Sequence, residues 1–257
     1  MSNIQPLTFP TLRSPDDYLN SLTADNDLGC LLHRGAFGVI FGDGGIGKSY
    51  FALQLAASFA SGRPFIGDVK TTGKILYVSL VDDRCDLDFR IHQAATHFSD
   101  LEKRAFEQRF CTIVNTVPFI RDLFDVDDKG MPTPNKNFDA LRKTCLEAEN
   151  LDAIFIDDMQ AMAMINPNHE KAVWAMSNHL KILAREAQVA VILLASSSPK
   201  NDIGRTILGP ANWIAELTAE DINADTVNLT VFGPANMDQS HFELHRGPEG
   251  SFTSSQP

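Results

Sequence analysis

The chain has 257 residues, of which 44% are hydrophobic and 21% charged, with a formal net charge of −11. Those figures are ordinary for a globular protein of one α/β domain with small additions, and the acidic balance excludes a generally basic, DNA-coating surface while leaving room for a local basic loop. No apolar run approaches the ~20 residues of a membrane span. The four cysteines (Cys30, Cys85, Cys111, Cys145) are scattered without a C-x-x-C pair, which reads as reduced structural thiols rather than a zinc site. With no basic-then-apolar start, the expectation is a cytoplasmic protein with no membrane partner.

In chain order, residues 1–13 carry two prolines and little periodicity, a loose arm. Ser14-Pro15-Asp16-Asp17 predicts a short helix to about Leu22: cap, proline at the first position, carboxylates near the positive end. A strand over 38–42 then meets Gly42-Asp43-Gly44-Gly45-Ile46-Gly47-Lys48-Ser49 and a helix over 48–61 that opens with Tyr50. Strand, glycine-rich loop and helix are the context that the Walker A pattern requires. The glycines bring backbone N–H groups against phosphate oxygens, and the helix start adds its dipole. Lys48 supplies a point charge for the β- and γ-phosphates and Ser49 a hydroxyl for Mg²⁺.

Gly62 and Pro64 end that helix. A strand over 74–80 leads to the acidic turn Asp82-Asp83, helices follow near 86–98 and 100–108, and a short strand over 110–115 precedes a Pro/Gly-rich loop to Asn137. A helix over 138–149 runs into Ala153-Ile154-Phe155-Ile156-Asp157-Asp158, an apolar strand that delivers carboxylates to the sheet edge, where open α/β folds place ligands. This is the shape of a Walker B strand, with Asp157 as the metal-side residue. A helix over 169–187 and the apolar strand 189–195 complete a parallel sheet covered on both faces. Trp213–Leu217, Thr226–Phe232 and His241–His245 read as an antiparallel extension, and Ser251–Pro257 as a disordered tail. His92 and His97 lack a third ligand, and Met159, Met162 and Met164 read as core or interface filler.

The order of Walker A, strand with acidic end, insertion, Walker B, helix, apolar strand, polar loop and antiparallel strands resembles the RecA-like ATPases. Within them it is most similar to the hexameric replicative helicases of the RepA type carried by plasmids. The resemblance runs from about Gly35 to Gly247 and is carried by Gly44-Gly45-Ile46-Gly47-Lys48-Ser49 with Phe51-Ala52-Leu53-Gln54-Leu55-Ala56-Ala57. Ile75-Leu76-Tyr77, Phe89-Arg90-Ile91-His92, Phe138-Asp139-Ala140-Leu141-Arg142 and Ala235-Asn236 add weaker echoes. It implies an arm over 1–34, a RecA-like P-loop ATPase domain over 35–247 and a tail over 248–257. It also implies ATP and Mg²⁺ as cofactors, a homo-oligomeric ring such as a hexamer, single-stranded DNA through its centre, and Arg90 as a residue that stacks on adenine or makes a surface salt bridge.

The chain departs from that family at four points. Val81 stands where the resemblance expects a water-polarising glutamate, with Asp82 and Asp83 next as substitutes. The sensor position after 189–195 holds Ala195-Ser196-Ser197-Ser198 in place of a polar residue such as histidine; Ser196 is the candidate phosphate sensor. Gly233-Pro234 replaces a trans-acting cation, and the arginine beyond the mobile loop is absent from its aligned place, with Arg205 nearby; such a cation is worth 10³–10⁵ in turnover. Asp158 joins Asp82, Asp83, Ser196 and Arg205 as candidate catalytic groups. The expectation is ATP binding with slow or residual hydrolysis, or else a nucleotide-dependent regulatory module acting through a protein partner. Lys200 and Arg205 are the only cations of the loop 196–205, a thin basis for DNA affinity.

Overall fold

The structure, a computed structural model, describes residues 27–29, 31–114, 122–163, 169–197, 209–233, 240–247 and 250–255. Strand β3 (Phe37–Asp43) runs into helix α1 (Lys48–Ser61). Then come β4 (Lys74–Ser79), α2 (Arg84–Ala94), α3 (Asp100–Arg109) and β5 (Phe110–Val114). Helix α4 (Lys136–Glu147) leads to β8 (Leu151–Asp157), and α5 (Met159–Met162) and α6 (Glu170–Ala187) lead to β9 (Ala190–Ser197). The chain continues through β10 (Trp213–Thr218), β11 (Thr226–Phe232), β12 (Ser240–Arg246) and β13 (Phe252–Ser255). All these strands form one nine-stranded sheet in the order β13-β12-β11-β10-β3-β9-β8-β4-β5.

Period-two alternation sorts the strand side chains between two cores. Ile40, Tyr77, Phe155, Ile192 and Leu194 face Phe51, Leu55 and Phe59 of α1 with Leu87 and Phe106. Their neighbours Val39, Val78, Ile156, Val191 and Leu193 face Phe138, Leu141, Val173, Met176 and Leu180. Both faces are therefore buried, and the strands from β10 through β3, β9, β8 and β4 to β5 pair in parallel. Helix covers above and below leave one edge, at the C-terminal ends of these strands, for chemistry.

Four expectations are corrected. Residues 27–29 and 32–33, which the sequence places with the arm, form the strand pair β1 (Asp27–Gly29) and β2 (Leu32–His33), because Leu28 and Leu32 are fully buried in the core. The stretch expected as loop before Asn137 contains a hairpin, β6 (Phe124–Val126) and β7 (Pro132–Pro134). Its turn is built by Asp127, whose side chain accepts from the Lys129 and Met131 N–H groups, and by Gly130 at φ 76°. Phe124 anchors it on Phe138. Trp213–Leu217 pairs in parallel with β3, so the antiparallel extension begins with β11; the close approach uses Gly38, where a Cβ would lie 2.1 Å from the Trp213 ring. The tail expected without structure supplies β13, paired with β12 and anchored by a buried Phe252. The helix expected from Ser14 lies outside the described residues, as do Cys30, Met164, Lys200, Arg205, Pro234 and Ala235-Asn236.

Candidate nucleotide site

The glycine-rich loop takes a path that only glycines follow cheaply. Gly45 has φ 82° and Gly47 φ 104°, in the left-handed region that a Cβ disfavours. At Gly47 space excludes a side chain as well, since a Cβ would lie 2.7 Å from the buried Phe252 ring, whereas one on Gly45 would meet only the half-exposed end of Ile222. Gly44 faces open space and Asp43 is exposed, whereas Ile46 is buried and anchors the loop. Helix α1 starts at Lys48 with Gly47 as its cap. No side chain caps its first N–H groups, so the helix start presents backbone donors and dipole together.

Lys48 is buried, and its ammonium donates to the carbonyls of Gly42 at 3.1 Å and Asp43 at 2.8 Å. Burial lowers its pKa, opposed by the charges of Asp157, Asp158 and Asp43. The cation is thus preplaced across the loop by two oxygens of the loop itself.

At the end of β8, Asp157 is buried and accepts hydrogen bonds from Tyr77 Oη, at 2.9 Å, and from Ser49. Burial pushes its pKa up to about 6, against the pull of those two hydrogen bonds, with smaller like-charge contributions from Asp158 and Asp82. A carboxylate that is bonded to the loop serine and costly to keep charged suits a divalent cation. Among the described residues no three His, Cys, Asp or Glu side chains cluster for a metal. Asp158 caps α5 by accepting from the Ala161 N–H at 3.1 Å; burial raises its pKa, offset by that bond and by Lys48.

The end of β4 is arranged differently. Val81 is 60% exposed, with no part in the core. Asp82 is buried, its N–H donates to Ser79 Oγ, and its carboxylate pairs with Arg90 at 3.1 Å. Burial raises the Asp82 pKa and the Arg90 charge opposes the rise. Asp83, a substitute for the glutamate in sequence, is the N-cap of α2, accepting from the Asp86 N–H at 2.9 Å. Arg90 lies over the Tyr50 ring at 5.3 Å from its centroid, so of its two sequence readings it makes the salt bridge, part-buried rather than at the surface, and its stacked partner here is a tyrosine of the chain.

Ser196 pairs with Gly42 across β9 and β3, which brings it beside the loop; its carbonyl accepts from Gln160 Nε2 at 3.4 Å. Arg205 falls outside the described residues. Sequence reading missed three contributors. Tyr77 looked like one more strand residue, although its ring stacks on Phe155 while its hydroxyl reaches Asp157. Arg246 donates to the Ile46 carbonyl at 2.8 Å, and Gln54 exchanges two hydrogen bonds with the Phe252 backbone. Tyr77 reaches a partner 80 residues on, and Arg246 and Gln54 join positions 198 to 200 residues apart, so no local pattern could reveal them.

Comparison with solved structures places this geometry among known folds. The chain is similar to a DnaB-like replicative helicase described with its interactions with primase, at 16% identity and TM-score 0.60 over 93% of this chain and 65% of that one. It is similar to a KaiC-like protein from the hyperthermophilic archaeon Pyrococcus horikoshii, at 17% identity and TM-score 0.58 over 91% and 95%. The RadB recombinase matches at 15% identity and TM-score 0.58 over 93% and 96%. Among the described residues no helix is long and apolar enough to cross a membrane. The model of the AAA domain family matches residues 2–201; the chain belongs to that family and has the fold of a RecA-like P-loop ATPase.

Proposed function

We propose that the protein binds ATP with Mg²⁺ at the loop 42–49 and hydrolyses it slowly, as an oligomeric relative of the RepA-type replicative helicases. The observation that supports this best is the coupling of loop and strand: Lys48 held by two loop carbonyls, and Ser49 bonded to the Walker B carboxylate Asp157. Gly44, Gly45, Ile46 and Gly47 would cradle the phosphates, Lys48 would neutralise them, and Ser49 and Asp157 would hold the cation. Tyr50 and Arg90 would lie toward the base. Bound Mg²⁺ would supply charge neutralisation at the phosphate oxygens. Slow hydrolysis rests on the end of β4, where Asp82 is paired with Arg90 and Asp83 caps a helix.

A second reading is a nucleotide-dependent regulatory module that acts on a protein partner. The exposed Val81 at the water-polarising position favours it. ATP turnover, with and without single-stranded DNA, measured beside a sedimentation profile, separates the two. DNA-stimulated turnover in a ring supports the helicase relative; bound ATP with no turnover supports the module. Equal ATP affinity in wild type and Lys48→Ala would remove the nucleotide site from both.

A further inference from the structure

We propose that Arg246 is a positioning residue for the phosphate loop, fixing the Ile46–Gly47 peptide so that the Gly47 N–H faces a bound phosphate. The inference deepens the nucleotide reading above and rests on it. Arg246 ends β12, far from the loop in sequence, yet its Nη2 donates to the Ile46 carbonyl at 2.8 Å. The Ile46–Gly47 peptide is trans, and in a trans peptide the C=O and N–H point to opposite sides. Holding the carbonyl toward Arg246 therefore turns the Gly47 N–H to the opposite side, where it would meet the anion of a phosphate loop. The guanidinium charge on the carbonyl also polarises the peptide and strengthens its N–H as a donor.

Arg246 is itself held in place. Its guanidinium lies 6.0 Å from the centroid of the Phe252 ring, and that ring fills the space beside Gly47. The Phe252 backbone donates to Gln54 Oε1 at 2.7 Å and accepts from Gln54 Nε2 at 3.0 Å, which ties the C-terminal strand to the helix that follows the loop. Arg246 Nε is buried and has no hydrogen-bond partner among the described residues. A donor left unsatisfied is a cost, and a solvent-facing arginine would not carry it. The side chain is placed for its contact with the loop, at some expense to its own hydrogen bonding.

The β-phosphate is the group a phosphate loop surrounds, so the test compares Mg-ADP with AMP by calorimetry on wild type, Arg246→Gln and Arg246→Lys. Loss of a hydrogen bond to a charged group predicts about a tenfold weaker ADP affinity in Arg246→Gln. AMP affinity should stay within twofold, and Arg246→Lys, which keeps the charge, should recover part of the loss. If Arg246→Gln does not fold, the smaller ADP-selective loss in Arg246→Lys decides alone. ADP affinity equal to wild type, or equal losses for ADP and AMP, overturns the inference while leaving the nucleotide site standing. A wild-type chain that binds no ADP overturns both.

Discussion

Strands β3 and β4 end at the same edge of the parallel part of the sheet, separated by β9 and β8, and they use that edge in different ways. At the end of β3 the polar groups include helix N–H groups that no side chain caps, beside a lysine held by the loop carbonyls. At the end of β4 they are turned toward the protein, with Asp82 on Arg90 and Asp83 on a helix N-terminus. A carboxylate with one oxygen in a salt bridge or a cap is fixed by that partner, which limits where its other oxygen can orient water. Binding geometry and hydrolytic geometry are separable within a site of this kind, and the proposed slow hydrolysis rests on that separation.

The contrast breaks most directly at Lys48. Lys48→Ala should lower ATP affinity by at least a hundredfold in calorimetry, because it removes the buried cation placed across the loop. Unchanged affinity would mean that the β3 end is only a turn. At Asp157 the expected effect has two signs. Its folded pKa of about 6 lies above the usual carboxylate value of 3.8, so the native state binds the extra proton and stability falls as pH rises from about 4 through 6. Above pH 6 the charged form costs on the order of 3 kcal/mol. Asp157→Asn should therefore raise the melting temperature of the ligand-free protein at pH 8 and leave it nearly unchanged at pH 4, while abolishing the Mg²⁺ dependence of ATP binding. An Asn variant that is less stable at pH 8 would contradict the burial argument.

Val81→Glu tests the other end. With 60% of Val81 exposed, glutamate fits without disturbing a core. Wild-type turnover should lie far below the enzyme median of ~10 s⁻¹, and the variant should raise it about tenfold if a missing carboxylate limits hydrolysis. Strong DNA-stimulated turnover in the wild type, lost in Asp82→Ala, would show that Asp82 leaves Arg90 to do this work, and the contrast would fail.

The sequence made the β3 end legible because its chemistry is local. Glycine, lysine and serine at fixed spacing, between a strand and a helix, specify loop and helix start together. The alternating cores were legible for a similar reason, since unbroken apolar runs such as Ala153–Ile156 need two covered faces. The rest depends on contacts distant in sequence. Asp82 and Asp83 are chemically alike neighbours, and only the placement of Arg90 and of the first turn of α2 gives them different partners. The tail reads as disordered because Ser251–Pro257 holds one large apolar residue, Phe252, whose hydrogen-bond partner Gln54 lies 198 residues away. Residues 27–29 and 32–33 escape the sequence pattern for the same reason: Leu28 and Leu32 look unremarkable until a core surrounds them.

The smallest expected effect is at Asp83, and it asks whether a cap can double as a catalyst. Its carboxylate accepts from the Asp86 N–H, and removing such a cap costs about 1 kcal/mol. For a chain of this size that is a fall of roughly 2–4 °C in melting temperature. Asp83→Ala should show that fall with ATP turnover within twofold of wild type, whereas Asp83→Asn, which keeps a capping oxygen, should show neither change. The opposite pattern is equally readable. A tenfold loss of turnover in both variants, with the Asn melting temperature unchanged, would mean that the carboxylate charge acts on the attacking water. The β4 end would then have to open during the cycle, with the α2 cap giving way as the carboxylate turns toward the γ-phosphate.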